Sequence, residues 1–154
     1  MLIFLDIDGV MVPAKGWKSP DFSEDGFFMF GDEAVCALSS LLSENTTIVL
    51  TSSHRENFSI EEWKEILNRR NIHVEKLIRL PVGGPAGDRN QEIVDWFRAH
   101  QVRENFIILD DDKSLNNLPS SLKKQWVKIK PFTGLTWDDL KDINDGVQPF
   151  PKVA

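Results

Sequence analysis

Three apolar runs that do not alternate with polar residues dominate this chain: 2–5 (LIFL), 47–50 (TIVL) and 106–109 (FIIL). A strand without alternation has no polar face to give to water, so it must be covered on both sides, as in a parallel sheet. Two less regular runs, 74–80 and 126–129, bring the expected strands to five. Each of the three clean runs stops abruptly at polar residues. These are Asp6-Ile7-Asp8, Thr51-Ser52-Ser53 and Asp110-Asp111-Asp112.

Helix signals lie between the strands. Asp32 can cap a helix with Val35, Leu38 and Leu42 on one stripe. Ser59 with Glu62, and Asp88 with Gln91, read as capping boxes ahead of Trp63, Ile66 and Leu67 and of Ile93, Val94 and Phe97. Thr136 and Asp139 open a last helix with Leu140 and Ile143, and Asn71 is a stop for the second helix. Alternating strands and helices predict a three-layer α/β domain with its strand C-termini along one edge, where ligands of such sheets bind. Residues 11–31 break the alternation with two prolines, three glycines and the run FFMF, and read as a loop or small hairpin over that edge. Residues 147–154 read as an irregular tail, because prolines break any element there. Cys36 falls near the apolar stripe of its helix and reads as core packing.

Composition narrows the function classes. At 154 residues the chain is expected to be one domain, 1–154. Eighteen basic against 24 acidic side chains give a net charge of −6, which argues against bulk nucleic-acid binding but leaves room for a local basic patch. A single cysteine cannot form an internal disulfide, no run is long enough for a membrane span, and MLIFLDID lacks the basic flank of a secretory signal. The expected setting is therefore cytoplasmic.

If the strand ends share one edge, up to five carboxylates, hydroxyl donors and one cation, Arg89, meet there. Folding does not require such crowding, since neighbouring carboxylates repel unless a cation or hydrogen bonds compensate. Hard oxygen ligands at this density suit Mg²⁺. Metal, arginine and hydroxyls are also what a phosphoryl group needs as its charge shifts. One acid can then serve as nucleophile and a neighbour as general acid/base. The DxDG at 6–9 is not an EF-hand loop, because position 12 counted from Asp6 is Trp17 rather than Glu.

This order of parts resembles the haloacid-dehalogenase-like (HAD) phosphohydrolase superfamily. LIFLDIDGV matches its first motif, IVLT its second through Thr51, GDRNQEI its third through Arg89, and ILDDD its fourth through Asp110 and Asp111. DRNQEIVDWF, FIILDDD and PFTGLTWDDL are most similar to the HAD domain of Swiss-Army-knife RNA-repair proteins. The resemblance implies a Rossmann-like sheet of order 5-4-1-2-3. It implies Asp6 as the nucleophile of an aspartyl-phosphate and Asp8 as general acid/base. Mg²⁺ would be held by Asp6, Asp8 through its main-chain carbonyl, and Asp110 or Asp111. Thr51, with Ser52 beside it, and Arg89 would bind phosphoryl oxygens. The family's usual cap insertions do not fit the intervals 11–31 or 53–88. A minimal or absent cap implies a large or accessible substrate, such as a nucleotide or nucleic-acid end.

Other readings stand beside this one. A HAD-fold binding or regulatory module without turnover is the alternative. A phospho-accepting receiver domain fits less well, because its adjacent acids follow the first strand. His54 and Arg55 read as a solvated loop, with the pocket rim as the alternative. Lys113 competes with Arg89, and either Asp112 or Ser114 is expected to cap the next helix. Five lysines and no acid lie between Lys113 and Trp137, interleaved with Trp126 and Phe132. That pattern reads as a solvated face, with a strip tracking nucleic-acid phosphates as the alternative.

Overall fold

The computed structural model describes residues 1–83 and 88–146, with 142 and 144–146 described by backbone only. The expected tail at 147–154 lies outside the described residues. Five parallel strands, β1 (Leu2–Leu5), β2 (Thr47–Leu50), β3 (Lys76–Arg79), β4 (Phe106–Asp110) and β5 (Trp126–Lys128), form one sheet in the order β3-β2-β1-β4-β5. This is the expected order. The three non-alternating runs are its three central strands, where both faces are covered. The edge strand β3 alternates: Leu77 is buried while Lys76 and Ile78 face out. It is also shorter than the run 74–80 suggested.

Among the described residues, five α-helices flank the sheet: α1 (Asp32–Leu41), α2 (Ile60–Arg69), α3 (Arg89–Ala99), the single-turn α4 (Ser120–Lys123) and α5 (Trp137–Gly146). Odd-numbered residues of β1 (Ile3, Leu5) share one buried cluster with Leu38 of α1, Trp63 and Leu67 of α2 and Leu140 of α5. Even-numbered ones (Leu2, Phe4) join Ile93 and Trp96 of α3 with Leu115 and Leu118. On that second face Phe4, fully buried, meets the rings of Trp96, Phe97 and Phe106 at 5.3, 5.3 and 6.2 Å. Full burial of a side chain of this size contributes about 1.5–3 kcal/mol. No described helix is long and apolar enough to cross a membrane.

The caps follow the sequence with two exceptions. Ser59 and Glu62 form the reciprocal box of α2. That helix ends in a Schellman turn: Asn71, at φ +62°, donates to Asn68 O and Ile72 to Leu67 O. Thr136 and Asp139 likewise exchange bonds at the start of α5. Asp88 accepts from Gln91 N, but the Gln91 side chain turns along the helix to Asp95, so that box is half made. In α1 the N-cap is Gly31 and Asp32 is already helical. Cys36 is exposed, which corrects the core reading. The buried stripe of α1 runs through Ala34, Ala37 and Leu38, and position 36 is turned away from it.

Residues 11–31 carry one antiparallel bridge, Phe22 to Phe28, and no helix, so this interval holds a hairpin rather than a cap domain. The hairpin is pinned. Arg70, at the end of α2, donates to both Asp25 oxygens at 2.7 and 2.8 Å and to Phe28 O at 2.8 Å. Its guanidinium lies 5.4 and 5.2 Å from the ring centres of Phe27 and Phe30.

Candidate active site

The sheet register sets the site. Leu5 pairs with Leu50 on one side and Leu109 on the other. The next residues, Asp6, Thr51 and Asp110, therefore stand level at the C-terminal edge of three adjacent strands. Asp6 N still donates to Leu109 O, and Thr51 N to Leu5 O, so the sheet holds both backbones in place.

The chain turns immediately after Asp6. Ile7 O accepts from the backbone of Val10, Met11 and Val12, and Gly9 sits at φ +79°. The turn separates the two acids of the motif. The Asp6 carboxyl is buried, while the Asp8 side chain is 49% exposed and meets His54 Nε2 at 2.9 Å. Gly9 also makes room for Asp111, because a Cβ there would stand 2.1 Å from Asp111 Oδ2.

Asp6, Asp110 and Asp111 each offer a carboxylate oxygen, all within 4.8 Å of one another. Arg89, the first residue of α3, lies with its Nη1 2.5 Å from Asp110 Oδ2, 3.3 Å from Thr51 Oγ1 and 3.7 Å from Asp6 Oδ1. The Thr51 hydroxyl is 3.4 Å from the same Asp110 oxygen. Asp110 Oδ1 accepts from Asp112 N at 3.0 Å.

One guanidinium among three carboxylates leaves the cluster short of positive charge. Burial, reinforced by Asp110 and only partly opposed by Arg89, pushes the Asp6 carboxyl up to about 9. Burial also raises Asp110 despite the adjacent Arg89. Burial works against the Arg89 charge too, but Asp110 and Asp6 outweigh it and hold that group above its ordinary value. Three convergent hard oxygen donors with unfavourable self-repulsion fit a divalent cation such as Mg²⁺.

The structure brings Asp6, Thr51, Arg89, Asp110 and Asp111 together. The Asp8 carboxylate stands outside that cluster, at the rim. Ser52 is buried beside Thr51, where its hydroxyl accepts from His54 N at 3.1 Å. Asp112 takes the capping role, accepting from Ser114 N at 2.8 Å, and Lys113 is exposed.

Arg55 corrects the solvated-loop reading, being 4% exposed. It donates to Leu80 O, Thr51 O and Ser52 O at 2.6, 3.1 and 2.9 Å and pairs with Glu92. Carbonyls at the ends of β2 and β3 have no further strand partner, and a buried guanidinium satisfies several at once. Arg55 therefore braces the backbone that carries Thr51. The position after Ser52-Ser53-His54 gave no periodic signal that could have revealed this. The same is true of the His54 ring, set edge-on against Phe27 and Phe28 at 6.0 and 5.6 Å.

No curated protein matches the chain, and no solved structure does. One family does match, described as the HAD domain in Swiss Army Knife RNA repair proteins, over residues 2–140. That span runs from the first residue of β1 into α5 and takes in every strand and every residue of the acid cluster, so the chain belongs to this HAD domain family.

Proposed function

We propose that this chain is a Mg²⁺-dependent phosphomonoesterase that works through an aspartyl-phosphate on Asp6. The observation that carries the reading is the convergence of Asp6, Asp110 and Asp111 around a point that Arg89 and Thr51 also border. Asp6, Asp110, Asp111 and the Asp8 main-chain carbonyl would hold the cation. When bound, it supplies positive charge that draws in the phosphoryl oxygens and keeps Asp6 ionised.

Asp6 attacks phosphorus and the ester P–O bond breaks. The departing oxygen takes a proton from the Asp8 carboxylic acid. Asp8, now a carboxylate, removes a proton from water. The resulting hydroxide displaces Asp6 from phosphorus, which releases orthophosphate and restores both side chains. Arg89 and Thr51, with Ser52 beside them, bind the non-bridging oxygens. Asp8 suits the acid/base role because it is accessible at the rim and held by His54.

The small hairpin over the edge favours a large substrate, and the family's description points to a nucleotide or nucleic-acid end. Hydrolysis of a chromogenic phosphomonoester, compared between wild type and Asp6→Asn with and without Mg²⁺, tests the reaction. Turnover that requires both supports it. Ligand binding without turnover supports a silent binding module instead. A panel of 3′- and 5′-phosphorylated oligonucleotides, nucleotides and sugar phosphates then ranks the substrates.

A further inference from the structure

Two loops bonded to each other beside the acid cluster present the same short pattern. Lys15-Gly16-Trp17 and Lys130-Pro131-Phe132 both place an exposed lysine two residues before an exposed ring. Trp17 is 81% exposed and Phe132 58%. The loops are fastened together, since Ala14 N donates to Pro131 O at 2.7 Å. The second loop is also closed on itself: Thr133 N and Gly134 N both donate to Lys130 O, and Leu135 N donates to Val10 O. Pro131 Cβ is 3.1 Å from the point where a Gly9 Cβ would stand, and Asp111 lies beside that same point. The second loop therefore adjoins Asp111 of the acid cluster, and the first loop is fastened to the second.

Neither Lys15 nor Lys130 has an ion-pair partner among the described residues. Neighbouring cations are engaged: Lys18 is 4.0 Å from Asp21, and Lys128 lies 5.7 Å over the Trp126 ring. Asp138, whose carboxylate feels Lys130, is held at 2.7 Å by Lys141. Trp126, by contrast, is not a free platform. Its indole donates to Asp110 O at 3.0 Å and its ring packs against the second core cluster. The strip running straight along 113–137 is thus replaced by a rim built from two distant segments.

Alternating cations and unpacked rings on braced loops suit a ligand that alternates phosphates and flat bases. We propose that Lys15, Trp17, Lys130 and Phe132 form a binding site for a single-stranded oligonucleotide. Bases stack on Trp17 and Phe132, the lysines meet internucleotide phosphates, and the strand leads its phosphorylated end to Asp6. Only that last clause rests on the phosphatase reading.

Fluorescence anisotropy with a labelled oligoribonucleotide of about 12 nucleotides lacking terminal phosphate tests the site. Wild type binds. Trp17→Ala and Phe132→Ala each weaken binding about 5- to 100-fold, while Phe132→Trp retains it. Lys15→Ala with Lys130→Ala flattens the plot of log affinity against log salt by about 1.4, at 0.7 per phosphate contact. All four side chains are exposed, so unchanged melting temperatures confirm that the variants fold. The proposal is overturned by a wild type that does not bind the strand, by ring variants that bind as wild type does, or by equal displacement with duplex or polyglutamate. Because the probe carries no terminal phosphate, its binding does not depend on Asp6 chemistry. Loss of the phosphatase reading and loss of this site are therefore separate outcomes.

Discussion

His54 Nε2 stands 2.9 Å from Asp8 Oδ2, joining residues 46 positions apart at the rim of the acid cluster. The imidazole packs edge-on against the rings of Phe27 and Phe28, so the hairpin at 11–31 positions His54 and, through it, Asp8. A residue acting through Asp8 leaves a chemical signature. Alkyl phosphates need a proton on the departing oxygen, whereas dinitrophenyl phosphate does not. Asp8→Asn is expected to lower kcat on alkyl esters by about 10²–10⁴-fold and to spare the activated ester. His54→Ala is expected to show the same selectivity at about tenfold, with His54→Gln in between. Equal losses on both substrates would mean that His54 is merely structural.

The buried acid cluster makes a prediction about stability. Without metal, Asp6 is buried against Asp110 with only Arg89 in partial compensation. With its carboxyl held up at about 9, Asp6 must take up a proton on folding at neutral pH, which costs stability, whereas Asp6→Asn is neutral without that cost and keeps the shape. In chelator at neutral pH its melting temperature should rise by about 3 °C, although turnover is lost. Added Mg²⁺ should raise the wild type by mass action and the variant less. Differential scanning fluorimetry with and without chelator reads both. A variant that melts below wild type in chelator would show that the cluster is not strained.

Two glycines with the same backbone separate strain from crowding. Gly9 and Gly26 have φ +79° and +81°, but a Cβ on Gly9 meets Asp111 Oδ2 at 2.1 Å, while one on Gly26 meets nothing within 4 Å. Gly26→Ala should cost about 1–2 kcal/mol from backbone strain alone and retain turnover. Gly9→Ala should cost more in urea unfolding and should also shift Asp111, weakening the Mg²⁺ dependence of activity. Equal effects on stability and activity would refute the packing argument.

Arg70 and Asp25 give a pH-dependent term. The Arg70 hydrogen bonds hold the Asp25 carboxyl down at about 2, against 3.8 unperturbed. A depressed acid stabilises the fold above its unfolded pKa and loses that contribution as pH falls through the folded value. Wild type should melt above Asp25→Asn by a constant margin from pH 7 to about 5, and the margin should close between about 4 and 2. A margin unchanged at pH 2 would mean that the pair contributes nothing through charge.

Sequence patterning alone revealed most of the local structure and the acids at the strand ends. A strand without alternation must be covered on both faces, so LIFL, TIVL and FIIL pointed to the middle of the sheet, and the polar residues that ended them pointed to its edge. The Ser59–Glu62 box and the Asn71 stop were equally legible, because caps are short-range hydrogen bonds between residues a few positions apart. What lay beyond the sequence was every relationship that crosses the chain. Only the parallel register put Asp6, Thr51 and Asp110 at one level, and only the turn at Gly9 sent Asp8 to the rim. Arg55 read as a solvated-loop residue, and nothing local marked Arg70. Both became buried struts because carbonyls at strand ends and a distant hairpin supplied acceptors that no local pattern announces. Cys36 lost its expected place in the core for the same reason, since the face a helix buries is decided by what packs against it.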